Sequence, residues 1–346
     1  MAGASWWDPV RFADRRPFLQ KRGAITDRTR AFFRARRFVE VETPILQISP
    51  GNETHLHAPR TELIGSEGRR AERYLRTSPE FAAKKLLASG ETRIFELARV
   101  FRNRERGDRH LPEFTMLEWY RAQAPYEAVI ADACEIVAEA AEAAGTRQFA
   151  FRGAVADPFA AAERLSVAEA FQRYAGIELL RTVSDGEGDR ALLAELAGRQ
   201  VKVAEDDTWS DIFSKVLVEH IEPRLGQGQL TVLYEYPAPE SALARVCAHD
   251  DRIAERFELY ACGVELSNGF GELTDAVEQR RRFEAAMSDK QRLYGERYPI
   301  DEDFLAAVAA MPEASGVALG FDRLVMLAAG AVKIDQVVWM PPSEDS

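Results

Sequence analysis

The chain has 346 residues, 46% hydrophobic and 29% charged, which is typical of a globular protein. Its formal net charge of -11 weighs against a large nucleic-acid footprint, because proteins that grip nucleic acid usually carry a basic face. Three widely separated cysteines indicate a reducing compartment rather than a disulfide scaffold. With no run of 18 apolar residues and no signal-like N-terminus, we expect a soluble cytoplasmic protein that does not span a membrane.

Hydrophobic periodicity and turn residues predict helices and strands that alternate along the chain. The first predicted elements are a helix over Pro17–Arg37, a strand from Phe38 to Pro44, loops with a short hairpin over 48–72, and strands at Ile94–Phe101 and Glu113–Arg121. There follow a helix over 125–144 that ends at Gly145, a capping box at Ser166 and Glu169, an exposed loop over 182–190, a helix over 207–222, a strand at Leu230–Tyr236, two strands at Arg256–Ala261 and Val264–Phe270 joined at Cys262-Gly263, a helix over 275–295, a strand at Ser315–Gly320 and a helix from near Asp322. Strands spread through the whole chain predict one α+β domain, 1–346, with an antiparallel sheet flanked by helices.

An arginine-rich loop joins the two longest predicted strands. Residues 102–109 hold four arginines and two acids, and the planar fork of arginine suits phosphate. On the return strand, period two places Glu118 and Tyr120 on one face, where a carboxylate and a phenol could seat an ammonium group. The alternative is an exposed charged turn on an ordinary hairpin, and the charge pattern by itself favours that alternative.

Two glutamates flank the later predicted hairpin. A turn centred on Ala261-Cys262 would place Glu258 opposite Glu265. Two carboxylates about 5 Å apart repel by roughly 3 kcal/mol at an effective dielectric near 20, so the pair needs a cation or a shared proton. Magnesium bridging ATP phosphates is one interpretation, and two solvated glutamates on an edge hairpin is the other.

Two glycine-containing segments complete the candidate chemistry. The segment Asn268–Glu272 could line a pocket with an amide and an acid, or form a loop. In the segment Gly316–Arg323, the glycines would let a ligand approach the backbone, and a helix N-terminus favours anions. The sequence lacks the P-loop, dinucleotide-binding and α/β-hydrolase patterns.

In their order along the chain and in their amino-acid sequences, these segments resemble the catalytic core of the class II aminoacyl-tRNA synthetases of the lysyl type, over nearly the whole chain. Residues 38–44 resemble motif 1, residues 101–120 motif 2 and residues 316–323 motif 3. Residues 77–80 and 255–273 match the amino-acid and metal segments of the lysyl subgroup. The resemblance implies the class II synthetase fold and formation of an aminoacyl-adenylate from ATP.

A closer resemblance is to the truncated lysyl-synthetase paralogues that modify elongation factor P, the EpmA (GenX/PoxA) family. Only about 37 residues precede the motif 1 segment, where lysyl-tRNA synthetases carry an anticodon-binding barrel, so tRNA is not the expected partner. Ala318 stands where the tRNA-charging enzymes are expected to have glycine, and an added methyl changes which amino acid fits a tight pocket.

This second resemblance implies an ATP-dependent ligase that activates (R)-β-lysine or lysine, uses Mg²⁺, modifies a lysine side chain of elongation factor P and forms a homodimer. The alternatives are a minimal lysyl-tRNA synthetase, a lysyl ligase with another acceptor, and a non-catalytic synthetase-like regulatory module.

The resemblance also implies roles for the residues at matching positions. Arg102 and Arg323 are the expected catalytic residues, and Glu258 and Glu265 the expected magnesium ligands. The expected ATP-binding residues are Arg102, Asn103, Glu105, His110, Glu258, Leu259, Gly320 and Arg323. The expected substrate-binding residues are Ser78, Pro79, Glu80, Glu118, Tyr120, Glu265, Asn268, Glu272 and Ala318.

Two positions depart from the family pattern. Arg104 occupies the usual place of a motif 2 glutamate, with Glu105 next to it, and Leu111 stands where asparagine is common. Either Glu105 takes the adenine-side role after a small loop shift, or that contact is altered. Any side-chain contact of the asparagine is lost at Leu111.

Overall fold

A computed structural model describes residues 6–341, so the outermost residues of the predicted 1–346 domain, 1–5 and 342–346, lie outside the described residues. Its helices are α1 (Pro9–Ala35), α2 (Glu80–Ala88), α3 (Tyr126–Ala144), α4 (Val167–Ala175), α5 (Arg190–Ala197), α6 (Trp209–Val216), α7 (Ala276–Tyr294), α8 (Glu302–Ala310) and α9 (Phe321–Ala329). Its strands are β1 (Val39–Glu40), β2 (Leu46–Gln47), β3 (Arg60–Ile64), β4 (Arg70–Leu75), β5 (Arg93–Phe101), β6 (Glu113–Ala122), β7 (Phe149–Phe151), β8 (Ala154–Asp157), β9 (Glu163–Ser166), β10 (Val183–Ser184), β11 (Glu187–Gly188), β12 (Gly228–Gln229), β13 (Thr231–Pro237), β14 (Val246–Cys247), β15 (Asp250–Ala261), β16 (Val264–Gly271) and β17 (Ala314–Gly320). Across residues 6–341, no helix combines the length and apolar composition that crossing a membrane requires.

A large sheet organises the fold. Its strands run in the order β1-β5-β6-β17-β16-β15-β13-β9, with β14 attached to β15. The two edge pairings, β1 with β5 and β9 with β13, are parallel, and the others are antiparallel. The predicted α+β class, with a mainly antiparallel sheet flanked by helices, is therefore confirmed.

Hydrophobic cores cover both faces of this sheet. Adjacent residues of β13 show it, because Val232 belongs to the core with α1, α3 and α9, whereas Leu233 belongs to the core with α4, α5 and α6. Successive side chains of a strand point to opposite faces. The sheet therefore separates the two hydrophobic cores, and helices packed on both of its faces fix the positions of its central strands.

The first helix begins eight residues earlier than the pattern predicted, at Pro9 instead of Pro17. The side chain of Asp8 caps it by accepting hydrogen bonds from the amides of Val10 (3.0 Å) and Arg11 (3.3 Å). Proline suits the first turn of a helix, where no amide partner is needed. Pro17 is tolerated inside the helix, although it removes one backbone hydrogen bond.

The predicted strand Phe38–Pro44 is reduced to two residues, because the chain leaves the sheet after Glu40. Polar side chains take the place of a strand ladder at Thr43, whose hydroxyl donates to Glu96 (2.6 Å) and whose carbonyl accepts from Arg76 (2.9 Å). The prediction of a strand was therefore right in place and wrong in length.

Two other segments differ in part from the predictions. The predicted helix over 207–222 ends at Val216 and continues as a π-helical turn, Leu217–Ile221, and a 3₁₀ turn, Glu222–Arg224, because Pro223 cannot continue an α-helix. The predicted loop over 182–190 contains the two-residue pairing of β10 with β11. The predicted capping box at Ser166 and Glu169 is confirmed, and so is the predicted end of a helix at Gly145, whose backbone is left-handed.

The hairpin of β15 and β16 turns at Cys262 and Gly263, as predicted, and both residues have positive φ (54° and 69°). The predicted pairing of Glu258 with Glu265 is wrong. Ala261 pairs with Val264, and an irregularity after Leu259 then shifts the register, so that Glu258 lies opposite Asn268 and Glu265 opposite Tyr260. An extra residue on one strand produces such a shift.

Candidate active site

A cavity of about 220 Å³ opens where β6, β16 and β17 meet the N-terminus of α9. Its walls are formed by many of the residues that were predicted from the sequence to belong to a site, although these residues come from distant parts of the chain. They are Ser78, Glu80, Arg102, Glu105, His110, Glu265, Asn268, Ala318, Gly320 and Arg323. The arginine-rich loop thus contributes Arg102, Glu105 and Arg109 to the wall of this cavity.

Arg323 dominates one end of the cavity. It lies in the first turn of α9, and its guanidinium donates to the carbonyl (3.0 Å) and carboxylate (3.3 Å) of Glu265 and contacts Nε2 of His110. Burial, followed by the charges of Arg323 and Arg109, lowers the pKa of His110 to about 4. His110 is therefore neutral near pH 7 and can accept a hydrogen bond from Arg323.

A buried ion pair anchors the start of α9. Asp322 accepts from Arg22 of α1 (2.6 Å) and from the amide of Thr115 in β6 (2.9 Å), and its side chain is 1% exposed. Arg22 also donates to the hydroxyl of Thr115 (3.0 Å). Three elements thus hold the helix that presents Arg323 to the cavity.

The motif 2 departure has a structural counterpart. Arg104 has a positive φ of 66° and turns away to pair with Glu296 (2.7 Å) and lie over the ring of Tyr294. Glu105 lines the cavity instead, 3.9 Å from Arg102. The glutamate next to the expected position is therefore the one that faces the site.

Glu258 and Glu265 interact despite their offset register. Glu258 is 7% exposed, pairs with Arg256 (2.9 Å) and accepts from the hydroxyl of Tyr260 (2.6 Å). Burial, and next the charge of Glu265, raises the pKa of Glu258. Burial and these same two carboxylates raise the pKa of Glu222, in the 3₁₀ turn, to about 7. The excess negative charge suits a cation.

The number of acidic side chains in this cluster limits the kind of metal site that it can form. Within residues 6–341, no group of three or more His, Cys, Asp or Glu side chains is arranged to hold a metal ion. Magnesium usually takes one or two carboxylates and completes its shell with water and substrate phosphates. Glu265 lines the cavity, and Glu258 is paired with Arg256, which also lines it, so the cluster offers the one or two carboxylates of such a site and not an all-protein metal cage.

Acidic side chains lie under the other end of the cavity. Glu118 is 3% exposed and accepts from the hydroxyls of Tyr120 (2.6 Å) and Ser78 (3.0 Å). Burial, and then the charge of Glu80, raises the pKa of Glu118 to about 8. Burial and neighbouring carboxylates also raise the pKa of Tyr120. An approaching ammonium group would relieve this repulsion.

Glu80 and Glu272 share a buried partner, Lys84. The Lys84 ammonium lies 2.7 Å from a carboxylate oxygen of each, and its side chain is fully buried. Burial raises the pKa of Glu272 to about 7, opposed by the charge of Lys84. The two carboxylates predicted for substrate binding are thus joined through a lysine that the sequence analysis did not identify.

The other predicted residues differ in position. Asn268 lines the cavity and accepts from Arg256 (3.3 Å), and Ala318 packs beside Met116. Pro79 occupies the N-cap position of α2 without a capping hydrogen bond. The amide of Asn103 donates to a loop carbonyl (2.7 Å), and the side chain of Leu259 is buried in the main core. The structure does not bring the last two side chains to the cavity.

Several residues of the site were not predicted from the sequence. Arg109 and Arg256 line the cavity, Lys84 lies under it and Glu222 faces the acidic pair. Arg256 had a signal, because it lies two residues before Glu258 on the same strand face. Lys84 had one too, since it follows Glu80 at i+4. Glu222 had none, because its place depends on how the chain leaves α6.

Comparison with known proteins agrees with this geometry. A family model described as class II tRNA synthetases (D, K and N) matches residues 6–344. The elongation factor P--(R)-beta-lysine ligase of Haemophilus influenzae is 39% identical over 341 residues, 98% of each chain. Ligases of the same name from Klebsiella pneumoniae and Proteus mirabilis are 39% and 38% identical, over 93% of this chain and 94% of each relative.

Proposed function

Because the chain belongs to the class II tRNA synthetase family of the D, K and N type, we propose that it is an ATP-dependent elongation factor P--(R)-β-lysine ligase. It would activate (R)-β-lysine as an adenylate and transfer it to a lysine side chain of elongation factor P. The names of its near full-length relatives support this activity. Family membership also confirms the resemblance that the sequence motifs indicated.

One observation carries the proposal: the cavity has two ends of opposite chemistry. Arg102, Arg109 and Arg323 line one end and suit phosphate. Glu80 lines the other end, above the buried Glu118, which is a suitable arrangement for ammonium groups. A lysine isomer has a carboxylate at one end and a side-chain ammonium at the other, so it would direct its carboxylate towards bound ATP.

The first step is an in-line displacement. The substrate carboxylate attacks the α-phosphorus of ATP, the new C–O–P linkage forms, and the bond to pyrophosphate breaks. Arg102 and Arg323 would neutralise the charge that develops on the phosphate oxygens, and the main contribution of the protein is positioning and electrostatics. His110 would orient the Arg323 guanidinium, and Glu105 would contact the adenine side.

Glu258 and Glu265 would hold Mg²⁺ against the phosphates of ATP, since oxygen ligands suit this ion. When bound, the ion neutralises phosphate charge and favours departure of pyrophosphate. A Glu265→Ala variant should lose at least 100-fold in ATP–pyrophosphate exchange and keep its circular dichroism spectrum. Full exchange in that variant would remove the metal assignment.

In the second step, an ε-amine of elongation factor P attacks the carbonyl carbon of the adenylate, an amide forms and AMP leaves. The attacking amine must be neutral, although the ordinary pKa of lysine is about 10.4. Docking must therefore disfavour the ammonium form, for which burial beside cationic groups is the general means. Arg102, Arg109 and Arg256 supply such cations around the cavity.

The deciding experiment measures the intact mass of elongation factor P after incubation with this protein, ATP and Mg²⁺. Separate reactions contain (R)-β-lysine, α-lysine or no amino acid. An ATP-dependent gain of one lysyl unit, faster with (R)-β-lysine, is the expected result. Lysine-dependent pyrophosphate exchange without a mass gain would instead indicate another acceptor, and tRNA charging would be measured next.

Ala318 provides the matched test of substrate choice. Its side chain lines the cavity next to Gly320 and Met116, so Ala318→Gly adds room for about one methyl group. We expect this variant to shift the ratio of kcat/KM for (R)-β-lysine and α-lysine towards α-lysine. One methylene in a pocket discriminates by roughly 10- to 200-fold. An unchanged ratio would contradict this role.

A homodimer is also proposed. Exposed apolar side chains concentrate on β1, the edge strand of the large sheet, and on the neighbouring small sheet. They are Val39, Ile45, Leu46, Ile48, Leu63 and Ile64, and an exposed apolar patch is typical of a protein interface. The mass of the protein in solution, measured by light scattering, tests this. Val39→Lys with Leu46→Lys should give a monomer of the 38.8 kDa chain.

Two further proposals concern organisation and location. A single catalytic domain is supported by the sheet that both main cores share. A reducing, cytoplasmic location is supported by three free cysteines, Cys134, Cys247 and Cys262. Limited proteolysis tests the first, since one domain should give no stable fragment of intermediate size. Fractionation of cells tests the second.

A further inference from the structure

The proposed reaction gives no role to Lys84. It lies in α2, one helical turn after Glu80, and its side chain is fully buried. A buried ammonium is costly unless it is paired. Lys84 pairs with two carboxylates, Glu80 and Glu272, at 2.7 Å each. These contacts join the start of α2 to the end of β16, directly under the acidic end of the cavity.

The two partners of Lys84 have different positions. Glu80 lines the cavity, with 12% of its side chain exposed. Glu272 is 1% exposed, and its Oε1 lies close to Gly316, on the side where the ring of Tyr120 also lies. The carboxylate that faces the substrate is therefore connected through one cation to a carboxylate in the wall behind it.

The charges at the acidic end of the cavity indicate what the contacts of Lys84 with Glu80 and Glu272 could do. Lys84 supplies the positive charge in contact with both Glu80 and Glu272, whereas burial raises the pKa of the neighbouring Glu118 to about 8. A lysine isomer carries two ammonium groups, and their approach would favour the ionised form of carboxyl groups at this end of the cavity. Without Lys84, Glu80 and Glu272 would take up protons more readily, because burial disfavours the charged form of a carboxyl group.

We propose that Lys84 is a positioning residue for the amino-acid substrate, which holds the carboxylates of Glu80 and Glu272 in the orientation that receives its ammonium groups. The inference rests on the proposed function and deepens it, since Lys84 would act through Glu80 and Glu272 without contacting the substrate. It explains why a cation is buried in a site that must bind a doubly positive ligand.

The prediction concerns the pH dependence of lysine activation. Burial raises the pKa of Glu272 to about 7, and the charge of Lys84 opposes that rise. Removing the cation raises this pKa further, so Glu272 stays protonated to higher pH. Substrate ammonium groups need ionised carboxylates, so activity recovers only as pH increases. The other charged or titratable groups that interact with Glu80 or Glu272 are Glu53, Glu118, Tyr120 and Arg245.

The experiment measures ATP–pyrophosphate exchange between pH 6 and 9.5 for the wild type and for Lys84→Met. In Lys84→Met, we expect the ascending limb of kcat/KM for the lysine isomer to move up by at least one pH unit. At pH 7 its KM for the lysine isomer should rise at least tenfold, with KM for ATP within twofold. In Lys84→Met/Glu272→Gln, the displaced limb should disappear.

The chain offers a matched control in the next residue. Lys85 lies on the same helix but pairs with Asp301 (2.9 Å), the N-cap of α8, and with Asp303 (2.8 Å) in its first turn, and it does not line the cavity. Lys85→Met removes the same charge and should leave both KM values and the pH profile unchanged. A purely structural role for Lys84 would lower thermal stability without moving the ascending limb, and this result would overturn the inference.

Two outcomes keep the inference separate from the proposed function. Wild-type protein that shows no exchange with any lysine isomer contradicts the proposed function. Wild-type exchange, together with an unshifted profile in Lys84→Met, contradicts the inference alone. If Lys84→Met does not fold, Lys84→Gln replaces it, because its amide can donate to both carboxylates without a charge, and the same shift of the ascending limb is expected.

Discussion

Gly316 provides a sharp test of the acidic end of the cavity. It pairs with Tyr120 across β17 and β6. A Cβ atom built on Gly316 would lie 2.5 Å from Cδ1 of Tyr120, and closer still to Cε1 of that ring and to Oε1 of Glu272. Both neighbours are buried, at 3% and 1% exposure. A Gly316→Ala substitution must therefore displace the two side chains that form the wall of this end.

The expected losses of stability and of substrate affinity in Gly316→Ala follow from the displacement of Tyr120 and Glu272. Overpacking a buried site costs about 1–3 kcal/mol of stability. Displacement of Tyr120 also disrupts its hydrogen bond to Glu118 (2.6 Å), and leaving a buried group without its partner costs about 1–3 kcal/mol. If that loss falls on substrate binding, KM for the lysine isomer rises roughly 5- to 150-fold. KM for ATP should stay within twofold, because the arginine end is untouched.

Steady-state ATP–pyrophosphate exchange measures both KM values, and thermal unfolding measures stability. Gly23→Ala is the control, since Gly23 is exposed on α1 and a Cβ there would meet nothing within 4 Å. It should be more stable than the wild type by about 0.5–1 kcal/mol, with both KM values unchanged. A folded Gly316→Ala protein with wild-type KM for lysine would refute the assignment of this wall to the substrate.

The sequence predicted the long hairpins well, because their signals are local. In β5 and β6, and again in β15 and β16, strand patterns flank a loop or a two-residue turn. The turn at Cys262-Gly263 was identified, but the register of the two carboxylates was not. A one-residue irregularity leaves the hydrophobic pattern almost unchanged, so the sequence carries little trace of it.

The missing part of the site depends on contacts between distant segments. Helix α2 was not predicted, although Ser78 accepts a hydrogen bond from the amide of Glu80 (3.0 Å) and a Ser-Pro-Glu sequence is a helix-start signal. Its recognition would have placed Lys84 one turn after Glu80. The contact with Glu272 could not follow from local pattern, since it depends on how α2 packs against the end of β16.

At Arg104 the family pattern alone could not predict which glutamate faces the cavity. The sequence left open whether Glu105 could replace the usual motif 2 glutamate. The positive φ of Arg104 turns its side chain towards Glu296 and brings Glu105 to the cavity. Arginine rarely adopts this backbone conformation, so the propensities of the residues gave no indication of it.

Two predictions concern the phosphate end. Arg22→Met leaves the buried Asp322 without its ion partner and should cost about 3–5 kcal/mol in unfolding free energy. Arg28, also on α1, forms partly exposed pairs with Glu139 and Glu142 of α3, so Arg28→Met should cost less, about 1 kcal/mol. Equal losses in denaturant titrations would contradict the anchoring role of Asp322. His110, whose pKa is lowered to about 4 by burial and by Arg323, binds protons less readily when folded than when unfolded, where its pKa is near 6.5. Its contribution to stability is therefore fully present above pH 6.5 and is lost as the pH falls towards 4, because the unfolded chain then takes up the proton first. His110→Asn should flatten this part of the stability curve, measured by denaturant midpoints at each pH. The exposed-site variant His249→Asn should keep it, and an unchanged slope in His110→Asn would mean that other groups cause the acid sensitivity.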